Sequence, residues 1–519
     1  MVSTLERSVQ EELADLDGGG GPQQAAPAPA KLDEDASASV LRQRIGLFVG
    51  LLGFALVWFA PFNLEPVAQR TAAVVVLMAV WWMTEAIPIP ATSLVPLVLF
   101  PALGILKPGE AAAPYANPVI FLFMGGFMLA LAMERWSLHR RIALTVVALV
   151  GASPRRLVLG FMLAGGIMSM WVSNTATAAM MLPIGLAIAE LLRPREPGAP
   201  FPFGTALLLS IAYGTTIGGF GTLIGSPPNV VFAAAAEELI GKPIGFVDWM
   251  MVGVPLVIIM LPLAWALLVY VLYPPGDLPS GAEELLRAER RSLGPIDRGE
   301  RITMIVFICT VLAWICREPK DFGAFTLPGL TQLIPGLADE TIAIAAAVAL
   351  FILPVDRKRG VRVLDWATAQ HLPWSVLLLF GGGLSLAAAV HKSGLAEVVA
   401  GGVASLAGLP VFAVLGLTTL LFLVLTELTS NTAVAAMGMP ILYAIAIGLG
   451  QDPIMFMLAG ALAASGAFML PVATPPNAIV FGSGYISIGQ MVKAGVWMSL
   501  ASVIIMTLAS YFFSHVVGG

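Results

Sequence analysis

Charged side chains are scarce in this sequence of 519 residues. Asp, Glu, Lys and Arg together make up 11% of it and hydrophobic residues 58%, whereas an average soluble domain has roughly 25% charged residues. The stretches 161–189, 202–236 and 454–492 contain no charged residue and no histidine. Because a helix that crosses the hydrocarbon layer needs about 20 mostly apolar residues, the sequence predicts an all-α polytopic membrane protein rather than a soluble domain.

Cysteine and histidine are also rare. Cys309 and Cys316 lie about two helical turns apart, roughly 10 Å, which is too far for a disulfide within one helix. The two cysteines and the four histidines form no cluster with metal-ligand spacing. The apolar stretches hold serines but no histidine, and no His-Glu-x-x-His run occurs, so an intramembrane hydrolase is disfavoured.

The first forty residues have a different composition. Asp, Glu, Gly, Gln, Ala and Pro dominate residues 6–35, which predicts a disordered cytoplasmic tail over residues 1–40. The segment has neither the basic n-region nor the apolar h-region of a cleavable signal peptide. The first transmembrane helix is therefore expected within residues 41–66.

Basic residues define the predicted topology. Lys and Arg collect at 42–44, 135–141, 155–156, 193–195, 287–301 and 357–362. Placing these segments on the cytoplasmic side satisfies the positive-inside rule and predicts about 11 transmembrane helices in a plasma (inner) membrane, with the N-terminus inside and the C-terminus outside. A cytoplasmic linker is expected at 276–300, and the helices near 45–63, 71–87, 91–105, 117–134, 203–236, 249–273, 302–316, 341–354, 374–391, 454–483 and 490–513.

Two apolar stretches do not fit as single passes. Residues 157–192 are flanked by arginines on both sides, so this stretch is predicted to enter and leave on the cytoplasmic face as a re-entrant helical hairpin. Residues 410–449 have little charge at either end and are predicted to form the mirror-image hairpin from outside. Non-helical backbone inside a membrane is tolerated only where protein or a water-filled cavity covers it, so the two hairpins indicate a binding site.

The chain contains an internal duplication. Four blocks recur in the same order, the first three 257 residues apart and the last 248: 123–126 with 380–383, 173–180 with 430–437, 183–184 with 440–441, and 226–229 with 474–477. They define two repeats, 67–275 and 301–519. Each repeat is predicted to contain an odd number of passes, so the second is inverted in the membrane. Inverted repeats with interrupted helices at matching places are typical of secondary transporters, with the binding site near the midplane.

Polar turns and double prolines are the candidate binding groups. Ser-Asn-Thr at 173–175 and at 430–432 supplies hydroxyl and amide groups; interhelical hydrogen bonding is the ordinary alternative for one such triplet, but the duplication favours binding. Pro-Pro at 227–228 and at 475–476 removes backbone donors and breaks the passes that contain it, beyond the simple kink of a single proline. Each break frees carbonyl groups, which suit a hard cation, and creates a helix N-terminus, which suits a carboxylate.

The candidate site contains no lysine or arginine. A bound dianion would therefore find no fixed countercharge, and co-bound cations would have to supply it. This predicts coupling to sodium. Glu427 is the one acid in the region, and it matches Met170 of the first repeat; its role is either functional or structural, with its carboxylate held by amides of the hairpin turn. Glu85 lies near a cytoplasmic helix end and is expected to be interfacial.

With these motifs the sequence resembles the divalent anion/sodium symporter family, which includes dicarboxylate, citrate and sulfate transporters. The similarity covers essentially residues 45–515 and rests on the two Ser-Asn-Thr and the two [Ser/Thr]-Pro-Pro motifs in order. It implies a homodimer in the lipid bilayer, in which each protomer has a scaffold domain and a transport domain that moves as an elevator. It also implies co-transported sodium ions, a dicarboxylate or other divalent anion as substrate, no organic cofactor and no nucleic-acid partner.

The resemblance also implies the ligands of the site. The implied substrate contacts are Ser173, Asn174, Thr175, Ser226, Pro227, Ser430, Asn431, Thr432, Thr474 and Pro475. One implied sodium site consists of Ser169, Ser173, Asn174 and the Gly225 carbonyl, and the other of Thr426, Thr429, Asn431 and the Ala473 carbonyl. Ser169 and Thr426 are related by the same offset as the two Ser-Asn-Thr motifs.

The function expected from the resemblance is sodium-coupled uptake of C4-dicarboxylates such as succinate, malate or fumarate, and not an enzymatic reaction. A sodium-independent dicarboxylate exchanger and a sulfate or citrate carrier are the alternatives within the family. A channel would need a continuous pore lined by charged or carbonyl rings, whereas paired hairpins favour an occluded site.

Overall fold

A computed structural model describes residues 29–62, 64–193, 201–276, 281–321, 326–403 and 408–517. These residues form mainly α-helices, as expected from their hydropathy. Nine of the described helices are long and apolar enough to cross a membrane, which confirms the prediction of a multi-pass membrane protein. The predicted number of about 11 passes stays a prediction, because the apolar segments Ile89–Ala102 and Pro453–Ser465 form only shorter helices.

The first half of the chain contains twelve of the described helices. Proline stands in the first turn of many of them, where it has no intrahelical hydrogen bond to lose. They are α1 (Pro29–Phe59), α2 (Pro66–Thr84), α3 (Ile89–Thr92), α4 (Val95–Ala102), α5 (Pro108–Ala112), α6 (Pro118–Arg135), α7 (Leu138–Val150), α8 (Pro154–Ser169), α9 (Asn174–Leu191), α10 (Pro202–Gly218), α11 (Pro227–Ile240) and α12 (Phe246–Ala266).

The second half is also helical but includes two short strand pairs. Its helices are α13 (Ala282–Ser292), α14 (Arg298–Ile315), α15 (Asp339–Ile352), α16 (Trp366–Ala369), α17 (Trp374–Lys392), α18 (Leu395–Val403), α19 (Val411–Leu428), α20 (Asn431–Gly448), α21 (Pro453–Ser465), α22 (Pro475–Gly482) and α23 (Ile488–Val517). Antiparallel pairs join β1 (Lys320–Asp321) to β2 (Thr326–Leu327) and β3 (Pro354–Asp356) to β4 (Val361–Arg362). The fold is otherwise helical, as predicted; in these connections backbone groups without helical partners pair locally.

Two predicted boundaries are wrong. Residues 29–40, predicted to be disordered, form the start of helix α1, because adding residues to an existing helix is easier than nucleating one; residues 1–28 of the predicted tail lie outside the described residues. The predicted pass 91–105 is split into α3 and α4, since Pro96 lacks the N–H that a continuous helix needs. Together they cover only about 21 Å at 1.5 Å per residue, short of the roughly 30 Å hydrocarbon layer.

The two halves have the same order of helices. Helices α7, α8 and α9 precede α18, α19 and α20 by the offset that separates the two Ser-Asn-Thr motifs, and α11 precedes α22 by the offset of the two Pro-Pro motifs. Two ion pairs also match. Arg135 at the end of α6 contacts Asp365 before α16 at 2.6 Å, and Lys392 at the end of α17 contacts Glu110 in α5 at 2.7 Å. Since Arg135 and Lys392 are themselves related by the offset of the Ser-Asn-Thr motifs, each half ties the end of one long helix to the short helix of the other half.

Close helix contacts hold the first hairpin against the helix that follows it. Helix α8 runs beside α10, and glycines on both allow the backbones to approach. A Cβ on Gly214 would lie only 2.5 Å from the Met162 carbonyl oxygen, and one on Gly218 would overlap the carbonyl of Gly166. This contact positions the turn between α8 and α9 beside the point where α10 ends.

Candidate functional site

In both hairpins, a hydroxyl side chain before the turn is hydrogen-bonded to the asparagine side chain after it. The Ser169 hydroxyl at the end of α8 donates to the amide oxygen of Asn174. In the second hairpin the Thr426 hydroxyl donates to the amide oxygen of Asn431 at 2.7 Å. Ser173 adds a cap, because its hydroxyl accepts a hydrogen bond from the Ala176 amide at 3.1 Å. The two asparagines begin α9 and α20, so each is fixed at a helix N-terminus.

The breaks in the long helices are closed by the asparagine of each Pro-Pro-Asn motif. The buried side-chain amide of Asn229 donates to the carbonyls of Gly219 and Thr222, both at 2.9 Å. Asn477 donates to the Leu470 carbonyl at 3.1 Å, and Leu470 corresponds to Thr222 at the same offset as the two motifs. Sequence reasoning quoted both asparagines but gave them no role; their duplication beside the prolines was the available signal.

One cavity joins the turns and the breaks. Its volume is about 800 Å³. All ten residues that the sequence predicted as substrate contacts line it: Ser173, Asn174, Thr175, Ser226, Pro227, Ser430, Asn431, Thr432, Thr474 and Pro475. Of the remaining predicted sodium ligands, Gly225, Thr429 and Ala473 line the cavity too, whereas Ser169 and Thr426 are fully buried. The predicted site residues are thus brought together, and their individual roles stay predictions.

Four helix N-termini meet at this cavity: those of α9, α11, α20 and α22. Each carries positive dipole character. The backbone amides of Asn174, Thr175, Asn431 and Thr432 have no hydrogen-bond acceptor among the described residues, so they remain available to a ligand. The prolines that begin α11 and α22 have no N–H, and there the neighbouring hydroxyls of Ser226 and Thr474 are the polar groups. The arrangement suits an anion.

Oxygen atoms converge behind the first turn. The position that a Cβ on Gly219 would occupy lies 3.1 Å from the Asn174 amide oxygen and 3.2 Å from the Gly225 carbonyl oxygen, with the Asn174 amide nitrogen also near it at 3.0 Å. In the second half, the Thr426 hydroxyl lies 2.7 Å from the Asn431 amide oxygen and 2.6 Å from the Ala464 carbonyl oxygen. Neutral carbonyl, amide and hydroxyl oxygens are ligands for hard cations such as sodium. The donor chemistry of both halves therefore fits sodium.

The charged residues and the histidine that line the cavity within the described residues lie outside the two turns and the two breaks. They are Arg42, Glu85, Glu134 and His371, and Arg42 contacts Glu85 at 3.3 Å. Glu85 ends helix α2 in a left-handed conformation with φ 51° and is about half exposed, in keeping with the predicted interfacial position. The proximity of Arg42 to the site was missed, because it lies on α1 and no local motif marks the contact.

Glu427 is held by the second break rather than by the hairpin turn. Its buried carboxylate accepts hydrogen bonds from the amides of Phe468 at 2.7 Å, Met469 at 2.9 and 3.1 Å, and Leu470 at 3.1 Å. In the first half, the Met170 carbonyl instead accepts from the Thr222 hydroxyl. Of the two roles open for Glu427, the geometry supports the structural one, with a different set of amides.

The titratable residues show no metal-ligand grouping in the part of the chain that the structure describes. That part contains no group of three or more His, Cys, Asp or Glu residues able to hold a metal ion. Cys309 and Cys316 are both free thiols. The turns and breaks that line the cavity offer hydroxyls, amides, carbonyls and helix dipoles.

Comparisons with known proteins agree with this chemistry. Residues 42–519 match the family profile described as "Sodium:sulfate symporter transmembrane region". The chain is 43% identical over 480 residues to a sodium-dependent dicarboxylate transporter, SdcS, of Staphylococcus saprophyticus, with 91% of each chain covered. It is also 43% identical over 487 residues to SdcS of Staphylococcus aureus, with 92% of each covered.

Two solved transporters are similar in fold. The YdaH transporter of Alcanivorax borkumensis aligns with a TM-score of 0.54 at 17% identity, over 84% of this chain and 97% of that one. MtrF of Neisseria gonorrhoeae, from a class of antimetabolite efflux pumps, aligns with a TM-score of 0.54 at 13% identity, over 94% of this chain and 95% of that one. At these identities the likeness concerns the fold alone.

Proposed function

This chain belongs to the sodium:sulfate symporter family, and on that basis we propose that it takes up C4-dicarboxylates together with sodium. The substrate class comes from the similarity to the staphylococcal transporters. Succinate, malate and fumarate are the expected substrates. The protein is a transporter and not an enzyme.

The observation that carries the proposal is the meeting of four helix N-termini in one cavity, at turns and breaks that contain no lysine or arginine. Two pairs of N-termini match the two carboxylates of a small dicarboxylate. Dipoles and neutral donors alone do not offset the desolvation of a dianion. Sodium ions held by the oxygens behind Asn174 and Asn431 supply the missing positive charge, so cation and anion bind together.

The cavity opens toward the cytoplasm in this conformation. Of the residues that line it, Arg42 lies in a segment that the positive-inside rule places on the cytoplasmic side, Glu134 precedes another such segment, and Glu85 is near a helix end predicted to be cytoplasmic. The hairpins and the broken helices form a transport domain that carries the site across the bilayer against a scaffold domain, as an elevator, and two protomers pair as a homodimer. These two inverted repeats give the inward-facing and outward-facing states equivalent contacts.

Purified protein in liposomes tests the proposal. An inward sodium gradient should make the liposomes accumulate labelled succinate, and unlabelled malate or fumarate should compete. Potassium in place of sodium is the matched control. Uptake that ignores the sodium gradient but is accelerated by succinate inside the liposomes would instead identify a sodium-independent exchanger.

A sulfate carrier is the second candidate, because the matched family is described by sulfate transport and the same dipoles and hydroxyls suit a sulfate oxyanion. The same liposomes separate the two. Sulfate or citrate that competes with succinate more strongly than malate does would contradict the C4-dicarboxylate assignment and leave the symport assignment standing.

A further inference from the structure

Thr216 carries a buried hydroxyl that has no hydrogen-bond partner among the described residues. It lies in the last turns of α10, is 2% exposed, and lines the central cavity. A threonine in a helix commonly donates to the carbonyl of the preceding turn. Its neighbour Thr215 does so, with the carbonyls of Ile211 at 3.0 Å and Ala212 at 2.9 Å. The Thr216 hydroxyl is thus left without a partner in a residue that lines the cavity.

Thr216 lies on the part of α10 that packs against the first turn. Thr216 and Gly219 are three residues apart and therefore share a face of α10. At Gly219 that face points at the Asn174 side chain and the Gly225 carbonyl, because a Cβ on Gly219 would lie 3.0 Å from the Asn174 amide nitrogen, 3.1 Å from its amide oxygen and 3.2 Å from that carbonyl oxygen. Among the buried hydroxyls without a partner in the described residues, that of Thr216 alone lines the cavity.

The second half offers a comparison for this position. Ala464 is the counterpart of Thr216 at the offset of the two Pro-Pro motifs, and its carbonyl oxygen lies 2.6 Å from the Thr426 hydroxyl. Thr426 in turn corresponds to Ser169, so the repeat places the residue at position 216 beside Ser169 and Asn174. Alanine supplies no side-chain oxygen, whereas threonine does. The first half therefore has one oxygen donor that the second half lacks.

We propose that the Thr216 hydroxyl is a further ligand of the cation bound in the first half, beside Ser169, Asn174 and the Gly225 carbonyl. An oxygen lone pair directed at sodium satisfies a buried group that otherwise has no partner, and a buried polar group without one is unfavourable. The inference rests on the proposed function, because it assumes sodium as the coupled ion. It makes the two cation sites unequal, with the first richer in oxygen.

Three variants test this ligand. Thr216→Val removes the hydroxyl while keeping the shape, and the half-saturating sodium concentration for succinate uptake should rise about tenfold, the effect of losing one ligand interaction. Thr216→Ser keeps the hydroxyl and should remain near the wild type. Thr215→Val removes a hydroxyl that already bonds within its own helix, so its sodium dependence should not change. Sodium-induced thermal stabilisation of the purified variants, without substrate, gives a second readout that does not depend on transport.

Each outcome bears on the ligand assignment. Unchanged sodium dependence in Thr216→Val overturns it. A raised KM for succinate at saturating sodium, with sodium dependence intact, also overturns it and assigns the hydroxyl to the substrate. If Thr216→Val fails to fold, Thr216→Ala takes its place in both measurements. A wild-type protein whose uptake ignores sodium refutes the proposed symport, whereas a wild type that is stabilised by sodium and a Thr216→Val variant that is not would still support the ligand.

Discussion

The two halves of the chain build similar sites from different residues. In the second half, the break between α21 and α22 is held by Glu427, whose carboxylate accepts the amides of residues 468–470. In the first half the matching residues form a tight, glycine-rich turn. There the Phe220 and Gly221 amides donate to the carbonyls of Ile217 and Gly218 at 3.1 and 2.9 Å. The helix break is held by the Glu427 side chain in the second half and by the glycine-rich turn in the first half. The comparison shows that the repeat preserves the geometry of the break rather than the residues that stabilise it.

The largest expected effect tests whether both halves are needed. Asn174→Ala and Asn431→Ala should each lower sodium-driven succinate uptake about 100-fold, because each variant loses hydrogen bonds to charged partners worth about 1.5–3 kcal/mol apiece. Uptake into liposomes by the purified variants is the measurement. Asn117→Ala is the control, since Asn117 caps α6 through the Val119 amide and does not line the cavity. A variant that retains near-normal uptake would remove its asparagine from the site.

A smaller effect, on the free energy of unfolding, is expected to differ between Glu427 and its counterpart Met170. Glu427→Gln should lower the free energy of unfolding by about 2–4 kcal/mol, because a neutral amide leaves buried backbone donors poorly paired. Met170→Leu should lower it by less than about 1.5 kcal/mol, since it conserves volume. Thermal unfolding in detergent, with and without sodium, measures both. A loss of stability in Glu427→Gln that occurs only in the presence of sodium would contradict the structural role and make Glu427 a cation ligand.

The smallest effect concerns the two matched ion pairs. A hydrogen bond from Lys392 lowers the pKa of Glu110, and hydrogen bonds from Thr368 and Arg135 lower the pKa of Asp365. A lowered carboxyl pKa stabilises the fold above the ordinary range of that group, and the contribution is lost as the pH falls through the folded-state pKa.

Both pairs are solvent-exposed, so Lys392→Gln and Arg135→Gln should each lower the melting temperature by only about 1 °C at pH 7. For Arg135→Gln the difference from the wild type should shrink as the pH falls below 3.8, the ordinary pKa of Asp365, and disappear below its folded-state pKa. Melting curves across this pH range are the measurement. A loss of stability confined to one of the two variants would show that the halves are not held equally.

How much of the structure the sequence predicts depends on whether the residues that determine a feature are close together in the chain. Local signals locate their elements well: α11 and α22 begin at Pro227 and Pro475, and α9 and α20 begin at Asn174 and Asn431. The family and the membrane class follow from the same motifs and from hydropathy. Contacts between distant segments leave no such trace, as with Glu427 and the amides of the second break, which lie far along the chain from it.

The misplaced pass 91–105 has a related cause. Hydropathy cannot distinguish a continuous apolar helix from one that Pro96 interrupts, because both remove the same apolar surface from water. The sequence also gives no sign that the Thr216 hydroxyl lacks a partner, because Thr215 beside it is the same residue type and makes an ordinary bond within its helix. Only the packing of α10 against its neighbours distinguishes them.

The prolines that open α11 and α22 also bear on how quickly cargo leaves. A helix that begins with two prolines keeps its dipole but lacks its first two backbone N–H groups. It therefore attracts an anion without donating hydrogen bonds from those positions. Tight binding would slow the release of the substrate, and slow release lowers the number of transport cycles per second. Withholding donors at two of the four helix ends therefore favours rapid turnover over tight retention.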